Sequence, residues 1–151
     1  MDGTQTINPR DILSYLGRDY IVEGVVSYQL PGHSFRLARA VDGDVVLWVE
    51  LLANEADDRL LVMTAVQDLA IGTPPPQSID YRKNMFVQRF SGTAKLSVAG
   101  IVSGRTESAV DVWRYRAAGD LHLQIEHGTS GQVVLYGESV HKGMIDVLPG
   151  K

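Results

Sequence analysis

Apolar and polar side chains alternate along most of the chain with a period of two, the pattern of β-strands that are covered on one face. In the segment from Asp44 to Leu52, one face carries Val45, Leu47, Val49 and Leu51, and the other carries Val46, Trp48 and Glu50. In the segment from Asp120 to His127, the apolar face carries Leu121, Leu123 and Ile125, and the other carries His122, Gln124 and Glu126. The first segment is therefore predicted to be central in its sheet, whereas the second is predicted to expose a solvated polar face.

Other segments follow the same pattern. Ala109–Ala117 places Trp113 and Tyr115 opposite a face that carries Val110, Val112, Arg114 and Arg116. Arg59–Val66 and Gly131–Tyr136 are rich in the side chains that favour strands. Asp42-Gly43 and Ala118-Gly119 stand just before apolar runs, where such pairs are typical of hairpin turns. The pattern predicts an all-β protein of about ten short strands.

One segment near the start of the chain fits two structures. Asn8, Pro9 and Asp11 form a suitable helix start, with Asn as the N-cap and Pro at the first helical position, and Gly17 could end that helix. The segment Met85–Phe90, which is its counterpart later in the chain, alternates and has no capping signal. The comparison favours a strand over Ile12–Leu16, a turn at Gly17 and a second strand from Tyr20.

The chain also resembles itself. When Ile21–Glu50 is placed over Ser97–Glu126, so that Gly24 meets Gly100, eight of the 30 positions are identical, where average usage gives roughly two. The identical pairs include Val26 with Val102, Ser27 with Ser103, and Glu50 with Glu126. The self-similarity predicts an internal duplication, with matching positions related by an approximate two-fold axis.

A proline-rich segment separates the two copies. The run Thr73-Pro-Pro-Pro-Gln77 cannot donate ladder hydrogen bonds at its prolines and favours an extended, stiff spacer. We therefore expect a first β repeat over 8–69, a connector over 70–80 and a second β repeat over 81–148. The two antiparallel units are expected either to pack as small open barrels or to share one bent sandwich.

Composition removes several classes of function. The absence of cysteine excludes disulfide scaffolds and thiolate metal sites, and the net charge of −4 argues against a general nucleic-acid binder. Phosphate loops, HExxH and GxSxG motifs are absent from the sequence. His122 and Glu126 would stand about 13 Å apart on a strand, which is too far for one metal ion. We predict no metal, no cofactor and no direct membrane insertion, and we see no signal peptide in the first twenty residues.

Five residues are candidates for a binding site. Glu50 and Glu126 occupy equivalent positions in the two copies, so a two-fold axis could bring their carboxylates together as an acid–base pair. The alternative is that each accepts hydrogen bonds from a turn or an arginine at a strand end. Trp48, Trp113 and Tyr115 are large aromatic residues on strands, suited either to the core or to a groove or dimer interface.

With these motifs in place, the chain resembles a bacterial family known only as a domain of unknown function, number four-one-seven-eight in that series. The resemblance rests on short segments in a fixed order, namely Asp11-Ile-Leu-Ser-Tyr15, Tyr20-Ile-Val-Glu-Gly24, Leu47-Trp-Val-Glu50, Gly92-Thr-Ala94, Gly137-Glu-Ser-Val140 and Val147-Leu-Pro-Gly150. The stretch Phe35–Leu37 departs from the family pattern, where a Trp and an acidic residue are expected. The resemblance implies a bacterial cytoplasmic protein without an established activity, accessory to a membrane-stress or polyamine-related system.

The sequence therefore favours a non-catalytic binding or assembly module. It would act through exposed strand edges and the groove between the repeats, and its partner would be another protein or a second copy of the chain. The alternative is a small-ligand binder or a hydrolase that uses Glu50 and Glu126. We predict no catalytic residues, and we place partner or ligand binding on Trp48, Glu50, Trp113, Tyr115 and Glu126.

Overall fold

The structure, a computed structural model, describes residues 7–51, 57–102, 108–129 and 131–150 of the chain. Its elements in the first half are β1 (Ile12–Tyr15), β2 (Arg18–Leu30), β3 (His33–Asp42), β4 (Val45–Glu50) and β5 (Arg59–Ala65). The second half contains β6 (Ser78–Tyr81), β7 (Asn84–Gly100), β8 (Ala109–Ala117), β9 (Leu121–Gly128), β10 (Gly131–His141), a 3₁₀ turn (Lys142–Met144) and β11 (Ile145–Leu148). The prediction of an all-β protein is confirmed, and the contested segment Ile12–Leu16 contains a strand.

Eight strands close into a barrel. Their order around the ring is β2-β3-β4-β5-β10-β9-β8-β7, and β7 returns to pair with β2. β1 and β11 extend the sheet beside the first part of β2, and β6 extends it beside the first part of β7. The prediction of two small open barrels or a bent sandwich is therefore wrong, because the strands form one closed barrel. Both halves contribute four strands to one closed barrel because β2 pairs with β7 and β5 pairs with β10.

The strand order is the same in both halves, although the predicted alignment fits only part of it. An offset of 76 residues places the start of β4 at Val45 on the start of β9 at Leu121. The same offset does not fit β2 and β7. The register shift in β2 lies between Val22 and Gly24, and the corresponding shift in β7 lies between Gln88 and Phe90, which is an offset of 66 residues. Residues 103–107, including the Ser103 aligned with Ser27, lie outside the described residues. The duplication itself stays a prediction.

Gly24 and Gly100 pair directly where β2 meets β7. A Cβ atom at Gly100 would stand 2.5 Å from the carbonyl oxygen of Glu23, and one at Gly24 would stand 2.8 Å from the carbonyl oxygen of Ala99. Gly100 also has a φ of +82°, a conformation that L side chains rarely adopt. The two glycines aligned in the sequence are therefore both needed at the seam that closes the barrel.

Three apolar clusters stabilise the sheet, one inside the barrel and two outside. The inner cluster includes Val26, Leu37, Trp48, Met63, Val112 and Leu135. One outer cluster lies under β1 and β11 and includes Leu13, Val22, Val62 and Ile145. The other lies against β6 and includes Phe86, Tyr115, Leu123 and Ile125, with Val66, Leu69 and Ile71 packed on it. Most of the barrel strands are therefore covered on both faces over part of their length.

The proline-rich segment begins close to this second outer cluster. Leu69 and Ile71 pack on it, and the Tyr115 hydroxyl donates a 2.7 Å hydrogen bond to the carbonyl oxygen of Pro76. β6 already starts at Ser78, within the range assigned to the connector. The division into 8–69, 70–80 and 81–148 stays a prediction.

Candidate functional site

An ion pair links opposite sides of the barrel. Arg114 lies on β8 and Glu50 ends β4, and three strands separate them in either direction around the ring. The Arg114 Nη2 nevertheless donates a 2.6 Å hydrogen bond to Glu50 Oε1. Because strands this far apart can meet only through the interior, the pair crosses the inside of the barrel.

Gln124 connects this ion pair to a second buried carboxylate. Arg114 Nε donates a 3.0 Å hydrogen bond to Gln124 Oε1, and Gln124 Nε2 donates one of 2.6 Å to Glu126 Oε2. The hydroxyl of Tyr28 on β2 also donates to Glu126 Oε2, at 2.7 Å. Arg114, Gln124 and Glu126 are 5%, 0% and 1% exposed. We call the five residues Tyr28, Glu50, Arg114, Gln124 and Glu126 the interior network.

Aromatic rings pack against the arginine and the tyrosine of the interior network. The Arg114 guanidinium carbon lies 4.8 Å from the centre of the Phe35 ring and 5.6 Å from that of Phe90. Tyr28 stacks on Phe35, with 4.5 Å between the ring centres, and His33 stacks on Phe90 at 4.2 Å. Cation–π contacts of this kind favour a desolvated arginine. The Arg114 side chain is thus held both by hydrogen bonds and by packing.

A cavity of about 630 Å³ opens at the end of the barrel where β4 ends and β5 and β9 begin. We call it the mouth cavity. Its lining comprises Ser27, Tyr28, Gln29, Ser34, Phe35, Arg36, Glu50, Leu51, Asp57, Arg59, Leu61, His122 and Ser139. Two members of the interior network, Tyr28 and Glu50, belong to this lining, so the network forms part of the cavity wall. The volume is in the range of cavities that bind small molecules.

The protein around His122, a residue of the cavity lining, determines whether its imidazole carries a charge. His122 is half-buried, and burial lowers the pKa of its imidazole to about 4, helped by the positive charges of Arg114 and Arg116. Asp120 acts in the opposite direction. At neutral pH, His122 therefore presents an uncharged ring to the cavity.

The structure separates the five predicted site residues into two groups. Glu50, Glu126 and Trp48 face the interior, where Trp48 is 8% exposed and the Arg39 guanidinium carbon lies 5.9 Å from its ring centre. Trp113 and Tyr115 pack in the outer cluster beside β6, where burial raises the pKa of the Tyr115 hydroxyl. Only Glu50 of the five lines the mouth cavity. The residues brought together are thus Glu50 and Glu126, joined through Arg114 and Gln124.

The predicted solvated face of β9 is wrong, because Gln124 and Glu126 point into the barrel. They are satisfied there by Arg114 and Tyr28, which lie on other strands. Tyr28, Arg36, Arg59, Arg114 and Gln124 were not predicted as site residues. One signal was available for Arg114, since it shares a face of β8 with Val110 and Val112, a position where a charge needs a partner.

The described residues form neither a metal-binding cluster nor a membrane-spanning helix. In residues 7–51, 57–102, 108–129 and 131–150, no group of three histidine, aspartate or glutamate side chains is placed to hold a metal ion. Over the same ranges, none of the helical structure is long and apolar enough to cross a membrane.

Comparison with known proteins gives a family but no activity. No curated protein and no solved structure shows significant similarity to the chain. One family profile, described as a domain of unknown function, DUF4178, matches residues 8–142. The matched range runs from before β1 to the 3₁₀ turn after β10, and so contains the whole barrel and the interior network. The chain therefore belongs to the DUF4178 family.

Proposed function

We propose that the chain is a non-catalytic binding protein that holds a small ligand in the mouth cavity. The observation that carries the proposal is the cavity itself, about 630 Å³ in volume at the open end of a closed barrel. Its wall is pre-formed, because the Glu50 side chain is held by Arg114 and the Tyr28 side chain by Glu126. A pre-formed wall lowers the ordering cost of binding.

The carboxylate pair supports binding rather than hydrolysis. Glu50 lines the cavity, but its Oε1 atom already accepts from Arg114. Glu126 is fully buried, does not line the cavity and accepts hydrogen bonds from Tyr28 and Gln124. An acid–base pair needs both groups within reach of the substrate. The two glutamates therefore fit a structural role better than a catalytic one.

The closed barrel gives less support to assembly through strand edges. In the described part of the chain, the strands at the two ends of the sheet order are β6 and β11, each of four residues. Short edge strands offer few backbone groups to a partner. The predicted protein partner or homodimer is for this reason not part of the proposal. The accessory role in membrane stress or polyamine systems rests on the family resemblance alone.

We also propose that the two halves arose by duplication, with the boundaries 8–69, 70–80 and 81–148. The common strand order, the matching register shifts in β2 and β7, and the identical residues around Gly43 and Gly119 support this origin. On this view the mouth cavity combines parts of both units, since Glu50 comes from the first and His122 from the second.

A fragment screen by ¹H–¹⁵N NMR tests the proposed function. We expect hits whose amide shift changes concentrate at Tyr28, Glu50, Arg59 and His122. A Ser34→Trp variant, which places an indole in the cavity lining, should abolish these changes. A Ser78→Trp variant, at an exposed position on β6, should leave them unaltered. A library that perturbs no residue of the mouth cavity would contradict the proposal.

A further inference from the structure

Two arginines flank the place where β4 stops. Glu50, the last residue of β4, pairs with Leu37 on β3 and with Leu61 on β5. Arg36 is one residue beyond Leu37, and Arg59 is two residues before Leu61. Both residues line the mouth cavity. The early end of β4 therefore leaves an opening with an arginine residue on the strand at each side.

Arg36 and Arg59 differ in the hydrogen bonds and ion pairs that their side chains make within the protein. Arg59 Nη2 donates a 2.8 Å hydrogen bond to the carbonyl oxygen of Ser139, and the same nitrogen lies 3.6 Å from Asp120 Oδ2. These contacts fix the direction of the Arg59 side chain. Arg36 is exposed, and within the described ranges its side chain has no hydrogen bond or ion pair. Arg36 is therefore available to a ligand, while Arg59 is pre-oriented.

The acidic groups of the lining already have partners within the protein. Glu50 is neutralised by Arg114, which lies behind it in the interior network. Asp57 has contacts of its own within the protein. The lining holds two arginines and two carboxylates, so the preference for an anion rests on Arg36, which makes no ion pair with the described residues. Burial is the main cause of the lowered pKa of His122; the positive charges of Arg114 and Arg116, which add to it, also favour an anion nearby.

Uncharged donors and an apolar wall complete the cavity. Ser27 pairs with Arg36 across β2 and β3, and both also line a neighbouring cavity of about 200 Å³. Phe35, Leu51 and Leu61 supply apolar surface in the mouth cavity. A cation pair beside hydroxyl groups and apolar side chains is suited to an anionic head group with a hydrocarbon portion.

On the basis of the proposed function, we propose that the ligand class is a small organic anion, a carboxylate or a phosphate monoester. Its head group lies between Arg36 and Arg59, and its apolar portion lies against Phe35 and Leu61. Arg114 stays paired with Glu50 and contributes its field rather than a direct contact.

Matched probes test the charge preference. Octanoate, octyl phosphate, octanol and octylamine share a chain and differ in head group, and each is titrated into the full chain while amide shifts are followed by NMR. We expect the two anions to bind at the mouth cavity with dissociation constants at least tenfold lower than that of octanol. Octylamine should bind more weakly than octanol. Whichever of the two anions binds more tightly shows whether a carboxylate or a phosphate is the preferred head group.

Arginine variants locate the head group. Arg36→Gln and Arg59→Gln should each weaken binding of the anions about tenfold, the effect of losing one charge-assisted hydrogen bond. Arg18→Gln, which removes an exposed arginine paired with Asp42 at the start of β2, should leave the affinity unchanged.

Failure of this inference is distinguishable from failure of the proposed function. If octanol binds in the mouth cavity as tightly as octanoate, or if Arg36→Gln behaves like Arg18→Gln, the anion class is wrong while ligand binding stands. If library fragments bind there and no octyl anion does, the anion class is equally overturned. If neither fragments nor probes perturb the cavity, both proposals fail.

Discussion

Arg114 and Glu50 meet across the full width of the barrel, although they lie on strands four places apart in a ring of eight. The pair joins the buried carboxylate of Glu126, through Gln124, to the wall of the mouth cavity. A buried ion pair of this kind adds little net stability compared with an apolar core, but removing one partner leaves an uncompensated charge. The interior network therefore fixes the shape of the cavity more than it stabilises the fold.

Replacement of Arg114 should strongly destabilise the protein. In Arg114→Met, Glu50 and Gln124 lose their cationic donor, and we expect a loss of about 3–5 kcal/mol in the free energy of unfolding, measured in urea at pH 7.5. The control is Arg116→Met on the same strand, where the exposed pair with Asp120 should be worth at most about 1 kcal/mol. Equal losses in the two variants would show that the network is not buried as described.

Removal of the Tyr28 hydroxyl should have a smaller effect. In Tyr28→Phe the ring stays stacked on Phe35, but Glu126 Oε2 loses one of its donors, which should cost about 1–3 kcal/mol in urea unfolding. Tyr136→Phe is the matched control, because within the described residues the Tyr136 hydroxyl makes no hydrogen bond. Its cost should stay below about 0.5 kcal/mol. A Tyr28→Phe variant as stable as this control would contradict the hydrogen bond to Glu126.

The seam between β2 and β7 should not tolerate a side chain at Gly100. Gly100 and Gly119 have φ values of +82° and +81°, so an alanine suffers the same backbone strain at either position, about 1–2 kcal/mol. At Gly100 the added Cβ would also meet Glu23 and Pro9, whereas at Gly119 it meets nothing within 4 Å. We expect Gly100→Ala to unfold about 1–3 kcal/mol more easily than Gly119→Ala in a thermal or urea assay. Indistinguishable variants would mean that the strands do not approach closely at this seam.

The free energy of unfolding should decrease as the pH is lowered, in part because of the His122 imidazole. Its pKa in the folded protein is about 4, below the ordinary 6.5, so between these values the unfolded chain binds a proton that the folded chain does not. This contribution is absent above pH 6.5 and grows as the pH falls towards 4. The lost stability at pH 5 should not exceed about 2 kcal/mol, because His122 is only half-buried and solvent screens its charge.

A His122→Gln variant isolates that contribution. Urea unfolding of the wild type and of the variant at pH 7.5 and pH 5 should show a smaller loss in the variant, because carboxyl groups contribute equally to both. An NMR titration of the His122 ring should in parallel show a midpoint well below 6. Identical pH dependence in the two proteins, or a ring that titrates near 6.5, would disprove the buried environment of His122.

The strands themselves were largely predictable from the sequence, because alternation is a local property. Val45–Glu50 and Ala109–Ala117 appear as strands, and the two faces assigned to Ala109–Ala117 are those of the structure. Which face lies inside was not predictable, since the closure depends on the pairing of β2 with β7 and of β5 with β10, far apart in the chain. The same closure turns a polar face of β9 inwards, against the usual rule that polar faces are solvated.

The candidate site was predictable only in part. The self-similarity picked out Glu50 and Glu126, both of which belong to the interior network. Their partners were not picked out, because Tyr28 aligns with Gly104 and Arg114 with Ala38 in that comparison, so neither is an identical pair. Trp113 and Tyr115 were chosen for size and strand position, but their side chains fall on the outer face of β8, one residue out of phase with Arg114. The site thus depends on which strands meet inside the barrel.

The most direct test of ligand binding in the mouth cavity is a crystal structure of the chain grown with the octyl anion that binds most tightly. We expect a head group within hydrogen-bond distance of both Arg36 and Arg59, a hydrocarbon chain against Phe35 and Leu61, and an intact Arg114–Glu50 pair. A head group bound elsewhere on the molecule, with the mouth cavity occupied by solvent alone, would contradict this expectation.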